Sequence, residues 1–191
     1  MRPILSTIPA VLLSLPIAAA TLDVRVDGPG GKTIENAVVY AIPSAPVAVG
    51  RKVAIMDQKD RIFIPHVLPV QTGTWVEFPN SDNIRHQVYS VSPTRRFQLP
   101  LYIGKPAIPI QFNKAGIVAI GCNIHEQMSA WIVVVDTPYF ATTDRGRATL
   151  RDLSAGRYTL HLWYPGMRSE PKAQTMTLAA ADQATASFTV E

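Results

Sequence analysis

Three side chains that can bind a soft metal ion stand close together in one short segment. They are Cys122, His125 and Met128, in the spacing C-x2-H-x2-M. A thiolate, an imidazole and a thioether are donors that electron-transfer copper sites combine, as two His, one Cys and a weakly bound axial Met. The segment therefore supplies three of the four ligands of such a site and predicts that the protein binds copper.

The fourth ligand has to come from another part of the chain, and His86 is the best candidate. It stands just before the apolar stretch Val88 to Val91, so a strand can carry it to the site. His66 is either a solvent-facing residue or part of a second metal site, and we favour the surface because few other donors remain. His161 alternates onto the polar face of its predicted strand, which also favours a surface position.

The first twenty residues have the pattern of a signal peptide. Met1 and Arg2 begin the chain, an uncharged apolar stretch runs from Ile4 to Ile17, and three alanines end at Ala20. These features predict cleavage before Thr21 and an exported, periplasmic protein, with an uncleaved anchor as the alternative. No transmembrane span is expected after cleavage.

Export makes the single cysteine informative. Cys122 is the only cysteine of the chain, so no disulfide can form within it. A lone thiol is a liability in an oxidising compartment unless it is buried or bound to something. This argument supports Cys122 as a metal ligand.

The elements that must position these ligands are predicted to be strands. Apolar and polar residues alternate over Leu22 to Val26, and four prolines between residues 92 and 112 exclude a regular helix there. Strands expected to lie beside the ligands are 74–78, 88–91, 117–120 and 131–135, the last two apolar enough to be buried on both faces. Further strands are predicted at 37–42, 53–56, 62–64, 147–151, 158–164 and 184–190. Short strands separated by turns indicate an all-β sandwich or barrel.

The residues around the proposed ligands also resemble the cupredoxin family. Met56, Phe63-Ile64-Pro65, Val76-Glu77-Phe78, Asn80 and His86 look like the first half of a cupredoxin, and Phe112, Gly116, Cys122, His125 and Met128 look like the second. The spacing is that of the short-loop members typified by amicyanin. The resemblance implies a Greek-key β-sandwich over residues 50–136, one type 1 (blue) copper ion, and one-electron transfer with a redox partner protein. The whole chain is similar to exported proteins labelled methylamine-utilisation or plastocyanin-like.

The chain departs from the family pattern at two positions near the ligands. Ile124 stands where a proline is common, and Gln87 stands where an asparagine is common. A backbone N–H at Gln87 can still reach the sulfur of Cys122. Asn80 and Gln87 are therefore expected to be hydrogen-bonding neighbours of the ligands, although Asn80 is equally well explained as a turn cap.

The remaining residues, 21–49 and 137–191, resemble carboxypeptidase-regulatory-like or transthyretin-like sandwich modules. The resemblance rests on Leu22-Asp23-Val24, Asn36-Ala37-Val38-Val39 and the segment from Thr143 to Leu160. We expect a second small β-sandwich into which the copper domain is inserted. The competing arrangement treats residues 21–49 as extra cupredoxin strands that precede the second module.

Composition and motif content exclude several function classes. The net charge is +4 and no basic run is interleaved with aromatic residues, so nucleic acid is not an expected partner. Four histidines are too few for a multicopper oxidase, and no nucleophile-elbow motif supports hydrolysis. The sequence predicts an electron-transfer protein that is not an enzyme. A copper carrier or chaperone, and a metal-free binding module with a cupredoxin shell, are the alternatives.

Overall fold

The computed structural model describes residues 19–191, except Val49, Arg51 and Ala107. The predicted signal peptide therefore lies outside the described residues up to position 18. Within the described residues the chain is almost entirely β, and none of its helical turns is long and apolar enough to cross a membrane. The strands are β1 (Ala20–Asp27), β2 (Val38–Pro43), β3 (Val53–Ile55), β4 (Asp57–Lys59), β5 (Ile62–Ile64), β6 (Val67–Gln71), β7 (Thr74–Glu77), β8 (Tyr89–Ser90), β9 (Phe97–Gln98), β10 (Ile110–Phe112), β11 (Gly116–Gly121), β12 (Ser129–Val135), β13 (Phe140–Thr142), β14 (Arg147–Leu153), β15 (Gly156–Trp163), β16 (Gln174–Leu178) and β17 (Gln183–Thr189).

The first and last strands of the chain form two sheets, with strand orders β14-β1-β17 and β13-β2-β15-β16. Apolar residues alternate along these strands, and side chains two residues apart on a strand face the same way. The apolar side chains of both sheets therefore form one shared core. In β1 the predicted alternation is confirmed: Leu22, Val24 and Val26 are buried. Strands from before residue 49 and after residue 137 therefore share both sheets, and the strands between them in sequence form a separate set.

That separate set contains the five-stranded sheet β6-β12-β11-β8-β9, the three-stranded sheet β10-β7-β3 and the β4–β5 hairpin. Two of its strand pairs are parallel: β6 with β12, and β3 with β7. Parallel strands cannot be joined by a tight hairpin, so a longer crossover connection joins the two strands of each pair. A second hydrophobic core lies within this set, and it includes Cys122 and Met128. The predicted metal ligands are thus built into the core of the middle segment.

Strand β12 joins the two cores. Ile132 and Val134 belong to the core that holds Cys122, whereas Val133 and Val135 pack with Val38 of β2 in a third cluster. The prediction that this segment is buried on both faces is confirmed for residues 132–135. For β11 the same prediction was only partly right, because Val118 and Ile120 are buried but the residues at 117 and 119 are half-buried.

Glycine is required at the start of β11, the strand that leads to Cys122. Gly116 has φ +138°, a backbone conformation essentially restricted to glycine, and a Cβ there would lie 2.6 Å from Oγ1 of Thr94. We expect Gly116→Ala to lower the free energy of unfolding by about 1–3 kcal/mol, measured by urea denaturation. Adding Thr94→Ala should recover the steric part but not the backbone part. A loss below about 0.5 kcal/mol in the single variant would contradict this prediction.

Candidate metal centre

Cys122, His125 and Met128 lie in the loop that joins β11 to β12. The two strands are antiparallel, with Gly121 opposite Ser129, so the loop closes a hairpin. The N–H of Cys122 donates to the Met128 carbonyl at 3.2 Å, and the N–H of Met128 donates to the His125 carbonyl at 2.9 Å. These bonds fold the loop back on itself. Cys122 and Met128 are buried, whereas His125 is half-buried.

His86 reaches the same place from a different part of the chain. Its backbone forms an isolated bridge with Tyr102, in which each N–H donates to the other carbonyl at 3.0 Å. The side chain of His86 is fully buried, and its ring lies 4.9 Å, centroid to centroid, from the ring of His125. One possible ligand atom from each of His86, Cys122 and His125 lies within 4.8 Å of the other two. Three donors predicted from the sequence therefore converge.

Met128 is placed close to this group but its role stays a prediction. It is 1% exposed and belongs to the same hydrophobic cluster as Cys122. Its backbone is bonded to both Cys122 and His125, so it cannot move independently of them. A weakly bound axial thioether is consistent with a buried Met that ends the loop.

The ring of His86 is oriented by a carboxylate. Its Nε2 lies 2.6 Å from Oδ2 of Asp82. The same carboxylate accepts the backbone N–H groups of Asp60 at 2.7 Å and Arg61 at 3.0 Å. Burial raises the pKa of Asp82, but the hydrogen bonds from Arg61, His86 and Asp60 together hold that pKa below its usual value. Asp82 is therefore ionised near neutral pH, and Nε2 of His86 must be the donor.

The other ring nitrogen of His86 provides a test of whether a metal fits. Nδ1 is buried and has no hydrogen-bond partner among the residues that the structure describes. Because Nε2 carries the proton, Nδ1 presents a lone pair, and a buried acceptor without a partner is costly. A metal ion would satisfy it. Together with a buried thiol and a second imidazole, this donor set fits copper or another metal that prefers sulfur and nitrogen.

Asn80 and Gln87 both make contacts around the ligands. Asn80 is buried; its Nδ2 donates to the carbonyls of Ile84 at 2.9 Å and Tyr102 at 2.8 Å, and its Oδ1 accepts the N–H of Asp82. It therefore fixes the loop that leads to His86.

The N–H of Gln87 lies 3.5 Å from Sγ of Cys122, and Oε1 of Gln87 accepts Nδ2 of Asn123 at 2.7 Å. An N–H aimed at a thiolate stabilises its negative charge. Gln87 is therefore linked both to the predicted sulfur ligand and to the residue that follows it in the loop.

The structure brings further residues to this region that the sequence analysis missed. Asp82 is one, and the others are Tyr102 and the fully buried Gln58. Burial raises the pKa of Tyr102 to about 12, so its phenol stays protonated and donates to the Phe78 carbonyl at 2.6 Å. Nε2 of Gln58 donates to the same phenol oxygen. These hydrogen bonds fix Tyr102, whose backbone pairs with that of His86.

The two other histidines lie away from this group. His66 is exposed, and its carbonyl accepts the N–H of Trp131. His161 stacks on Tyr40 at 5.1 Å, and its Nδ1 lies 3.0 Å from Oε1 of Glu170. Neither belongs to a group of three or more possible His, Cys, Asp or Glu ligands within the described part of the chain.

Comparison with known proteins gives a likeness in structure only. No protein-family model matches the sequence, and no curated protein matches it. A copper-containing nitrite reductase from Thermus scotoductus SA-01 is 29% identical, with a TM-score of 0.42 over 49% of this chain and 26% of its own. A variant of amicyanin in its reduced state is 22% identical, with a TM-score of 0.41 over 50% of this chain and 99% of its own. A purple cupredoxin from Nitrosopumilus maritimus is 18% identical, with a TM-score of 0.38 over 44% of this chain and 99% of its own. The chain spans about a quarter of the nitrite reductase, and it resembles cupredoxins over about half of its own length.

Proposed function

We propose that the protein binds one copper ion through His86, Cys122 and His125, with Met128 as a weak axial ligand, and that it carries single electrons to and from a partner protein. The observation that carries this proposal is the convergence of possible ligand atoms of His86, Cys122 and His125, together with a buried Nδ1 of His86 that lacks any partner among the described residues. Bound copper would supply a centre that alternates between Cu(II) and Cu(I). The leader-like pattern of residues 1–20 supports an exported, periplasmic location.

The chain's own residues provide what such a centre needs. Cys122 is 4% exposed, so water has little access to the sulfur, and the Gln87 N–H stabilises its thiolate form. The donors are held by strands β11 and β12 and by the contacts of Asn80 and Asp82. A preformed ligand set changes little between oxidation states, and this lowers the barrier to electron transfer.

The half-buried His125 offers a route for electrons to the surface. Ile124, the residue before it, is 50% exposed. An exposed apolar residue beside a redox centre favours a partner with an apolar contact surface. We propose that the redox partner docks at the exposed surface around His125 and Ile124.

Electron transfer is favoured here over an enzymatic role. Catalytic copper enzymes of the multicopper type need additional histidine ligands, and the two remaining histidines lie elsewhere, His66 at the surface and His161 beside Glu170. A copper carrier uses similar soft ligands but must release its metal readily. A metal-free module would leave the Cys122 thiol unligated. These two alternatives make different predictions in one experiment.

The test is a titration of the mature protein with Cu(II), followed by visible absorption. We expect an intense thiolate-to-copper band that saturates at one equivalent, bleaches with ascorbate and returns with ferricyanide, while a chelator removes the metal slowly. Rapid loss of copper to the chelator would indicate a carrier. A colourless protein whose Cys122 still reacts with a thiol reagent would overturn copper binding at this site.

A further inference from the structure

The carboxylate of Asp82 connects two separate chain segments next to His86. It lies four residues before His86, its side chain is 11% exposed, and one of its oxygens is 2.6 Å from Nε2 of the imidazole. The other contacts of the carboxylate come from the hairpin that joins β4 to β5. The carboxylate thus links that hairpin to a proposed metal ligand.

The turn between β4 and β5 binds a carboxylate through its backbone. Asp60 and Arg61 both have positive φ, at 54° and 60°, as a two-residue turn of the I′ type requires. Non-glycine residues adopt this conformation at a cost, so it persists where other contacts fix it. Here the two consecutive N–H groups donate to the two oxygens of Asp82, one to each. The turn thereby fixes both the position and the rotation of the carboxylate.

We propose that Asp82 is a positioning residue that holds the His86 ring with Nδ1 free for the metal and makes copper binding favour Cu(II) over Cu(I). This inference rests on the proposed function. A hydrogen bond from Nε2 to a carboxylate fixes the tautomer and increases the electron density that the imidazole donates. The negative charge also attracts a doubly charged ion more strongly than a singly charged one.

The first test compares Asp82→Asn with Asp60→Asn. Each change removes one negative charge where the two segments meet and keeps the side-chain shape, but the hydrogen bond between Asp60 and Asp82 uses the backbone N–H of Asp60, which Asp60→Asn retains. We expect Asp82→Asn to raise the Cu(II) dissociation constant by about ten- to a hundredfold, to change the Cu(I) constant less, and so to raise the reduction potential. Asp60→Asn should leave all three close to wild type. The measurements are competition titrations for each ion and a redox titration.

The outcomes separate this inference from the proposed function. If the wild-type protein forms no thiolate–copper band, the proposed function fails and the inference fails with it. If wild type binds copper but Asp82→Asn and Asp60→Asn have equal potentials, the inference alone is overturned. A purely structural role would weaken both oxidation states equally and leave the potential unchanged.

A second measurement needs no variant and covers the case in which Asp82→Asn does not fold. In the metal-free wild-type protein, ¹⁵N NMR of the histidine rings reports which nitrogen carries the proton. We expect the neutral His86 ring to carry it on Nε2, with the exposed His66 as the reference for an unconstrained ring. A proton on Nδ1 of His86 would overturn the inference.

Discussion

Replacing Cys122 by serine is expected to abolish the visible band of the copper-loaded protein and to weaken Cu(II) binding by more than about a hundredfold. The hydroxyl is neutral near pH 7 and is a harder donor than a thiolate, so it can neither supply the charge-transfer transition nor bind copper as tightly. Even changes to residues that only orient a ligand cost ten- to a hundredfold in affinity. Visible absorption and a competition titration with a chelator of known affinity measure the two effects.

The matched control changes a histidine that lies away from the candidate site. His66 is exposed and contacts Trp131 only through its backbone, so His66→Ala should keep the band and the affinity. Circular dichroism checks that both variants retain the β fold. A full-strength band in Cys122→Ser would show that copper is bound elsewhere. Loss of the band in His66→Ala would show that our choice of histidine ligands is incorrect.

The second large effect concerns stability, and we expect it for Ile132→Ala. Ile132 lies in β12 and is fully buried in the core that also holds Cys122. Removing its side chain loses apolar burial and leaves a cavity, so the free energy of unfolding should fall by about 2–5 kcal/mol. Urea denaturation of the metal-free protein measures the loss without a contribution from bound copper.

Ile62→Ala is the matched control, because the same atoms are removed from a strand residue that is 51% exposed. Its expected loss is below about 1 kcal/mol. Equal losses in the two variants would contradict the assignment of Ile132 to a tightly packed core.

The candidate ligands were predictable because their chemistry is local. Cys122, His125 and Met128 share one loop, and the donor types themselves indicate the metal. His86 could be selected because only four histidines are present and only this one directly precedes a stretch that the sequence predicts to be a strand. The alternation in β1 and β15 was equally readable, since period-two burial depends on the sequence of one strand alone.

What the sequence did not reveal depends on contacts between distant segments. The role of Asp82 depends on the N–H groups of Asp60 and Arg61, which approach only through the β4–β5 turn. Nothing in the residues around Asp82 distinguishes it from an ordinary turn residue. Strand β6 was missed because Pro69 argues against a strand, and it is tolerated because β6 is at the edge of its sheet.

The division of the chain into two domains stays a prediction, and the strand pairings favour one of its two arrangements. Strand β1 pairs with β14 and β17, and β2 pairs with β13 and β15. We therefore retain the proposal that residues 50–136 are a domain inserted into a flanking sandwich, against the consecutive arrangement. Proteolysis at the connections after β2 and after β12 would distinguish them, because residues 21–49 would remain with residues 137–191 if the domain is inserted and with residues 50–136 in the consecutive arrangement.

Strand β12 has one face in the core that holds Cys122 and the other against β2, where the rings of Trp131 and Trp163 lie 5.4 Å apart, centroid to centroid, at a tilt of 58°. Met128 stands immediately before this strand. The end of the loop is therefore attached to a strand that is hydrogen-bonded within the middle sheet and packs against β2. On the proposed function, loading and release of the ion would therefore proceed by opening the loop near the exposed Ile124 and the half-buried His125. The packing of β12 against β2 would then slow metal exchange, and weakening that packing would shorten the residence time of the ion without changing any proposed ligand.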